Sequence, residues 1–553
     1  MAKEVCGFYI NQHHCIDSNG QRPKSNSAYD WLRFLGEHTA TINVMYDLNY
    51  NMANLLRHLN LKKEQLETLN TQQKLWTSNC QIGYINDKYA SVRHGSEYNA
   101  PYSAFSDCSQ YMITELAEGD ESYCYQKACE AKITGEKVVK ALSILKISAD
   151  SIISPINQFK KHVMTRMVNM LPLVDDLPDE EIGEFCYGVC KGGWFENYKK
   201  GAFSDIVDLD VRSCYPAILA NLPDFKYGTW THVKEKTTAP MGFYKGNWTI
   251  TAPFSPIMYK ATSDDSYNTE KQTNNPNVCP IGTWEAYATA QEIDFVEKWK
   301  LGHFEVKEGW EWSNPSKFVQ PWKKIIERLY ELKETHEGLE RDVLKRCLNG
   351  IFGLTLEVRN GVFGDFFCPT FGSLIESGAR LRVASLCLTN NQIPINIAVD
   401  GVALEKMPEI IDVGTGLGQW KVAHKNANCI AVNAEVCAIS GKDSGLPFAI
   451  TENWLHDEID KHPDEHLYTM TQRSFVSLGK AVNSNMIDEI GDIIDTPRSL
   501  DICDDTKRLF KEMPQTGREL ISGKHFESIP LPVEMIELAN LPKVDGEDLT
   551  DII

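Results

Sequence analysis

Two aspartates far apart in the chain, Asp210 and Asp400, each stand at the end of a strand-like run, and a basic helical stretch lies between them. The first closes the alternating Ile206-Val207-Asp208-Leu209 and opens Asp210-Val211-Arg212-Ser213-Cys214-Tyr215-Pro216. A strand that delivers a carboxylate and then turns at Ser and Pro fixes a hard oxygen ligand on a rigid element. The second follows Ile395-Asn396-Ile397-Ala398-Val399 and precedes Gly401-Val402-Ala403-Leu404. Two carboxylates gathered from distant segments can hold a pair of divalent ions about 4 Å apart, the arrangement that phosphoryl transfer to a hydroxyl requires. Between them runs Lys345-Arg346-Cys347-Leu348-Asn349-Gly350-Ile351-Phe352-Gly353, with Arg341 four residues before Lys345 and so on the same helix face. Either aspartate alone reads equally well as a strand-end cap on a turn, and the basic run as a solvated face. The ordered set of three is what carries weight.

Taken together the three stretches resemble the polymerase motifs of family B DNA polymerases, D-x-x-S-L-Y-P, K-x-x-x-N-S-x-Y-G and D-T-D-S. The resemblance implies a right-hand palm, fingers and thumb, with Asp210 and Asp400 binding two Mg²⁺ or Mn²⁺ ions and the Val211 carbonyl assisting. It implies that Tyr215 lies beneath the incoming sugar and leaves no room for a 2′-hydroxyl, which selects dNTPs. Lys333, Arg341 and Lys345 would clamp the triphosphate, Asn349 would hydrogen-bond around the nucleotide, and Phe352 would wall the nascent pair. The chain departs from the pattern at Gly350, Phe352, Ala398 and Gly401, which replace Ser, Tyr, the first Asp and Ser. The metal-binding Asp of the third motif survives as Asp400. Glu435-Val436-Cys437 occupies the place expected for a primer-contacting K-x-Y, and Lys421 is the substitute candidate.

The elements that must position these residues are legible in outline. Trp322 to Lys333 has helical period, breaks near Gly338 and resumes from Leu339 to Gly350, as a fingers hairpin would. Gly242 to Thr251 reads as a strand, and Cys279 to Glu292 as a strand passing into a capped helix. Leu417 to Lys421 and Asn428 to Ile439 read as closing palm strands. Cys190-Lys191-Gly192-Gly193-Trp194 resembles the Y-x-G-G element that touches the template strand; adjacent glycines let a backbone approach a phosphate closely. A surface turn is the plain alternative there. The expected divisions are 1–150 for an RNase H-like, exonuclease-type α/β domain, 151–190 for a linker, 191–225 and 355–440 for the palm, 226–315 for an insertion, 316–354 for the fingers, and 441–553 for the thumb and tail. The fold class is thus mixed, α/β and α+β, in several domains.

The wide interval between Asp210 and Lys345 resembles the protein-primed viral and bacteriophage branch, whose extra subdomain there meets a terminal protein. The short interval from Lys345 to Asp400 leaves little room for that branch's second insertion, so the kind of primer stays open. In family B enzymes the N-terminal domain holds exonuclease carboxylates at D-x-E, N-x-x-x-F/Y-D and Y-x-x-x-D. The nearest matches are Tyr9-Ile10-Asn11, Asp47-Leu48-Asn49-Tyr50-Asn51 and Tyr123-Cys124-Tyr125-Gln126-Lys127, and each loses its carboxylate. Tyr9, Asn11, Asn51 and Lys127 cannot hold two hard ions. An exonuclease-like fold without exonuclease chemistry follows, unless Asp17, Asp47 and Asp107 serve instead.

At 553 residues the chain is long enough for three or four packed units, and 42% hydrophobic with 24% charged residues describes a folded, soluble protein. No apolar run suits a membrane span, and the start lacks a secretory core, so an intracellular location, in a virus- or phage-infected cell, is expected. Sixteen scattered cysteines suggest buried thiols, not disulfides. Cys186 with Cys190, and His13-His14-Cys15, come nearest to metal ligands but lack partners at usual spacings, so no zinc site is expected. The formal charge of −20 opposes phosphate binding, unless a basic channel lies inside an acidic shell and binding falls steeply with salt. The sequence therefore predicts a template-directed DNA polymerase that adds dNTPs to a primer on a DNA template without proofreading. The rival is a catalytically silent polymerase-fold protein that binds nucleic acid or a replication partner.

Overall fold

The computed structural model describes residues 3–76, 80–85, 89–94, 102–112, 117–149, 155–167, 171–172, 180–260, 277–314, 319–359, 362–442, 450–505 and 507–539. The acidic run 175–181 and the C-terminal tail therefore lie wholly or mostly outside the described residues. The chain forms two compact units, one from residues 1–169, 328–350 and 470–498, the other from 170–327, 351–469 and 499–553. No helix among the described residues is long and apolar enough to cross a membrane.

The first unit is α/β. Its seven-stranded sheet runs in the order Cys15–Asp17, Val5–Ile10, Ile42–Met45, Ser103–Asp107, Tyr89–His94, Cys80–Ile85, Lys74–Trp76. Val5–Ile10 and Ile42–Met45 are parallel, as are Ile42–Met45 and Ser103–Asp107, and the remaining pairs are antiparallel. Val5–Ile10 is buried along its whole length, as a strand covered on both faces must be. The helix Glu121–Ile144, N-capped by Asp120, packs on it through small residues. A Cβ on Gly7 would meet the Ala128 carbonyl oxygen at 1.9 Å, so only glycine permits this approach.

The same core takes in Val476, Leu478, Ala481 and Ile490. Residues 441–553, expected as a thumb with its tail, are thus divided between the two units, because the apolar face of 476–490 is buried against the N-terminal core. The stretch from Ser474 to Ile494, helix-like in sequence, instead forms the ends of a two-stranded ribbon, Leu467–Phe475 with Ile493–Asp501, around a short helix Leu478–Asn483. Asn485 (φ 54°) and Gly491 (φ 87°) break the helix there.

The second unit is built on an eight-stranded sheet. Its main path is Cys437–Ile439, Trp420–Ala431, Lys199–Val211, Gly401–Leu404, Asn396–Ala398, Phe195–Asn197; Phe526–Pro530 joins the edge of Lys199–Val211 and carries Arg508–Phe510. The helix Pro369–Thr389 packs against this unit's helices Glu180–Val189 and Cys214–Leu219. Residues 180–189, expected in a linker, therefore form a packed helix burying Ile182, Phe185, Cys186 and Val189. The insertion folds as its own antiparallel sheet, Thr229–Val233, Gly302–Ser313, Gly242–Ile250, Gly282–Thr289. Gly282–Thr289 passes into the helix Ala290–Trp299 through a Thr289/Glu292 capping box, as the pattern predicted.

Candidate active site

Asp210 ends the long strand Lys199–Val211, whose residues Val207, Leu209 and Val211 are buried while Asp208 and Asp210 face the other way. On one side it pairs with Gly401, and the Val211 amide donates to the Asp400 carbonyl at 3.1 Å. The two aspartates therefore lie at one end of the sheet, Asp210 near the end of its strand and Asp400 in the turn that enters the neighbouring strand. A Cβ built on Gly401 would lie 3.9 Å from Asp210 Oδ1, so a larger residue there would begin to crowd the carboxylate. On the other side Asp210 pairs with Lys421, whose Nζ reaches Asp210 Oδ2 at 2.7 Å.

Asp400 is held by a two-residue hairpin. Ala398 pairs with Gly401, leaving Val399 and Asp400 as the turn, and Val399 adopts φ 61°. A β-branched residue in the left-handed region costs about 1–3 kcal/mol and persists only where its surroundings hold it. The Val399 amide donates to Trp194 O at 2.7 Å, and Gly193 packs so close that an added Cβ would lie 3.1 Å from Val399 Cγ2. The Lys191-Gly192-Gly193 stretch thus supports the hairpin that carries Asp400.

That stretch is in turn fixed by the helix Pro369–Thr389. Glu376 Oε2 accepts the amides of Lys191 and Gly192 at 2.8 and 2.7 Å. Arg380 donates to Gly192 O at 3.2 Å and pairs with Glu292 Oε1 at 2.9 Å, both side chains almost fully buried. Removing one partner of such a pair strands a buried charge, at about 3–5 kcal/mol. Lys191 Nζ donates to the Gly188 carbonyl at 2.8 Å, the last turn of the preceding helix.

After Asp210 the chain turns sharply at Ser213 (φ 49°) into the helix Cys214–Leu219. Tyr215 on this helix meets Phe352 edge to face, with centroids 4.5 Å apart and planes at 73°. Burial, then the charges of Glu376 and Asp400, push the Tyr215 hydroxyl above the ordinary tyrosine value. Cys214 is raised in the same way, first by burial and then by Asp400 and Asp210 together. Both carboxylates are therefore near this one helix turn.

In the other unit, described by itself, Lys333 ends the helix Lys323–Glu334, and Arg341, Lys345 and Asn349 follow at helical spacing on Gly338–Thr355. Lys333 Nζ lies 3.0 Å from Glu334 Oε1 and 4.3 Å from the Tyr330 ring centroid, while Arg341 reaches the same Glu334 oxygen at 3.6 Å. Burial lowers the Lys333 pKa, Glu334 opposes, and the charges of Arg341 and Lys345 lower it further, so three cations lie close enough to repel. Lys345 and Asn349 line a cleft of about 670 Å³ with Gln110, Ile156, Asp342, Arg346 and Gly350.

Residues 155–355 match the family described as DNA polymerase type B, organellar and viral. Over those residues, less than half of its length, the chain is similar to that family. No curated protein matches it in sequence. Among solved structures, that of the bacteriophage phi29 DNA polymerase with primer-template DNA and incoming nucleotide is similar at a TM-score of 0.59 and 12% identity, covering 90% of this chain and 100% of that one. An orthorhombic crystal form of the phi29 enzyme gives 0.59, and its binary complex with primer-template DNA gives 0.56, at the same identity and coverage. At that identity the likeness shows the fold.

The N-terminal unit brings Tyr9, Asn11, Asn51 and Lys127, the residues that the sequence aligns with exonuclease motifs, into one neighbourhood. Asn51 Oδ1 accepts the Ile10 amide, and Asn11 Nδ2 lies 3.2 Å from Cys124 Sγ. The Tyr9 ring packs against Tyr46, Tyr50 and Tyr123, and Lys127 donates to Tyr46 OH at 3.2 Å while lying over the Tyr46 and Tyr123 rings. Each of the alternative carboxylates accepts from backbone amides: Asp17 Oδ1 from Asn19 and Gln21, Asp47 from Tyr50, and Asp107 from Leu48 and Ser109. Among the described residues no three carboxylates converge.

Several groups around Asp210 and Asp400 carry no motif and were not anticipated. Asp208, two residues before Asp210 on the same strand face, binds His424 Nδ1 at 3.0 Å and Lys442 Nζ at 3.2 Å. A bulge between Val422 and His424 brings His424 opposite Asp208 while Lys421 stays opposite Asp210. Glu376 and Arg380 were legible only as two of the three charges, with Arg382, in a mostly buried helix.

Proposed function

We propose that the chain adds dNTPs to a primer 3′-hydroxyl on a DNA template by two-metal phosphoryl transfer, without proofreading. The observation that carries the proposal is the pairing of Asp210 with Gly401 and of the Val211 amide with the Asp400 carbonyl, which brings the two aspartates to neighbouring backbone positions at one end of the sheet. These hard oxygens fit Mg²⁺ or Mn²⁺, and an ion on Asp210 would take the place of the Lys421 ammonium. Asp210, Asp400 and the Val211 carbonyl would hold the ions, which when bound supply activation of the attacking hydroxyl and neutralisation of the leaving pyrophosphate.

The remaining work falls to the chain's own side chains. Lys333, Arg341 and Lys345 bind the triphosphate, and their mutual repulsion is relieved when its negative charge arrives. Tyr215, backed by Phe352, excludes the ribose 2′-hydroxyl, and Asn349 orients the nucleotide. Lys191, Gly192 and Gly193 face the template backbone, and Lys421 turns from Asp210 to the primer end. The insertion sheet meets the primer-side partner, a terminal protein in the protein-primed case.

The aromatic group around Tyr9 and Lys127 supports the absence of proofreading, since an ammonium sits among rings where the family's exonuclease motifs place carboxylates. Primer extension tests the whole reading. With Mg²⁺, dNTPs and a primed template the wild-type chain lengthens the primer, and a 3′-mismatched primer incubated without dNTPs keeps its full length. Extension without loss supports the proposal, shortening of the mismatched primer removes its second half, and no extension removes the first.

A further inference from the structure

Cys6 on the strand Val5–Ile10, Asp17 at the end of Cys15–Asp17, and His38 just past the helix Ala28–Gly36 bring three unlike ligand atoms together in the N-terminal unit. Cys6 Sγ lies 3.8 Å and His38 Nε2 3.4 Å from Asp17 Oδ2, and all three atoms fall within 4.8 Å of one another. Metal bonds of about 2.3 Å to sulfur and about 2.0–2.1 Å to nitrogen or oxygen, at tetrahedral angles, separate ligand atoms by about 3.3–3.6 Å. The Nε2–Oδ2 separation matches that edge, whereas a charged N–H···O bond is shorter, about 2.7–2.9 Å.

The surroundings orient each atom toward the shared centre. His38 Nδ1 lies 2.8 Å from the Phe34 carbonyl, which can only accept, so Nδ1 carries the proton. Nε2 is then the ring nitrogen left to bind a metal, and it lies 3.4 Å from Asp17 Oδ2. Asp17 Oδ1 is committed to the amides of Asn19 and Gln21, both at 2.8 Å, leaving Oδ2 for the set. Cys6 and Asp17 are buried, at 2% and 0% exposure, and the partly exposed His38 provides the way in.

We propose that Cys6, Asp17 and His38 bind one zinc ion, with water in the fourth position, tying the first two strands to the end of the first helix. A thiolate, a carboxylate and a neutral imidazole carry two negative charges, so a divalent ion makes the buried cluster neutral. This mixed sulfur, nitrogen and oxygen set suits zinc and disfavours Mg²⁺ and Ca²⁺. Binding releases the Cys6 thiol proton to solvent; burial and then the Asp17 charge hold that thiol up at about 11. The site owes nothing to the polymerase reading.

Metal analysis of the full-length chain, purified without chelators, tests it. One equivalent of zinc is expected, and replacing it with Co²⁺ should give the near-ultraviolet thiolate-to-cobalt band with intense four-coordinate visible bands. Cys6→Ser should lose the near-ultraviolet band, and Cys129→Ser, a neighbouring thiol outside the set, should keep it. Zinc should raise the thermal midpoint of wild type and not of Cys6→Ser. A wild-type chain that retains no zinc and shows no cobalt–thiolate band would overturn the proposal without any variant. A band that survives Cys6→Ser would overturn it equally.

Discussion

Tyr215 combines in one side chain the packing and the selectivity assigned to the nucleotide site. Its ring meets Phe352 at 4.5 Å, a contact of about 0.5–1.5 kcal/mol beyond area burial. Steric exclusion of a hydroxyl depends on that ring being held in place. Tyr215→Ala should therefore lower the preference for dNTPs over rNTPs in kcat/KM by about 100-fold, in single-nucleotide incorporation on a primed template, with dNTP use retained. An unchanged ratio would detach Tyr215 from sugar selection. Asp210, Tyr215, Lys345 and Asp400 stand out in the sequence by their type and order alone. Glu376, Asp208 and His424 do not, because each acts through a partner far away in sequence. The Cys6, Asp17 and His38 group escaped notice for the same reason, since its spacing fits no common ligand pattern.

The hairpin that holds Asp400 shows where element-level reading stops. The run Ile395 to Leu404 looks like one strand, since Val399-Asp400 lacks the Asn-Gly or Gly-X chemistry of a tight turn. It folds back because Trp194 and Gly193 hold Val399 in the left-handed region. The helices Lys323–Glu334 and Gly338–Thr355 were legible by contrast, since their apolar period and the break at Gly338 are local signals. The contact at Gly193 makes a coupling prediction. Gly193→Ala should crowd the Val399 methyl and slow extension several-fold with little loss of stability. Val399→Ala in the same chain should restore part of the rate, so the double variant exceeds the sum of the single effects. Strict additivity in single-turnover rates would mean that the glycine does not act through the hairpin.

At the scale of the whole chain, domain boundaries drawn from sequence order hold only in part, because segments distant in sequence complete each core. Residues 470–498 were assigned to a thumb by position, yet Val476, Leu478, Ala481 and Ile490 are buried with Phe8, Leu55 and Val92. Leu478→Ala should cost about 2–5 kcal/mol and speed hydrogen exchange in the N-terminal strands Val5–Ile10 and Ile42–Met45. Exchange that changes only after residue 441 would contradict the shared core. The paired carboxylates remain the centre of the account, and the polymerase and its catalytically silent rival differ most sharply there. The deciding measurement is the single-turnover rate of dNTP addition for wild type, Asp210→Asn and Asp400→Asn, alongside primer-template binding by each. The account predicts that each variant binds DNA within a few-fold of wild type and loses at least about 1,000-fold in rate, roughly 4 kcal/mol of transition-state stabilisation. A wild type that binds DNA and adds nothing, or an Asp400→Asn chain that adds nucleotide at the wild-type rate, would contradict it.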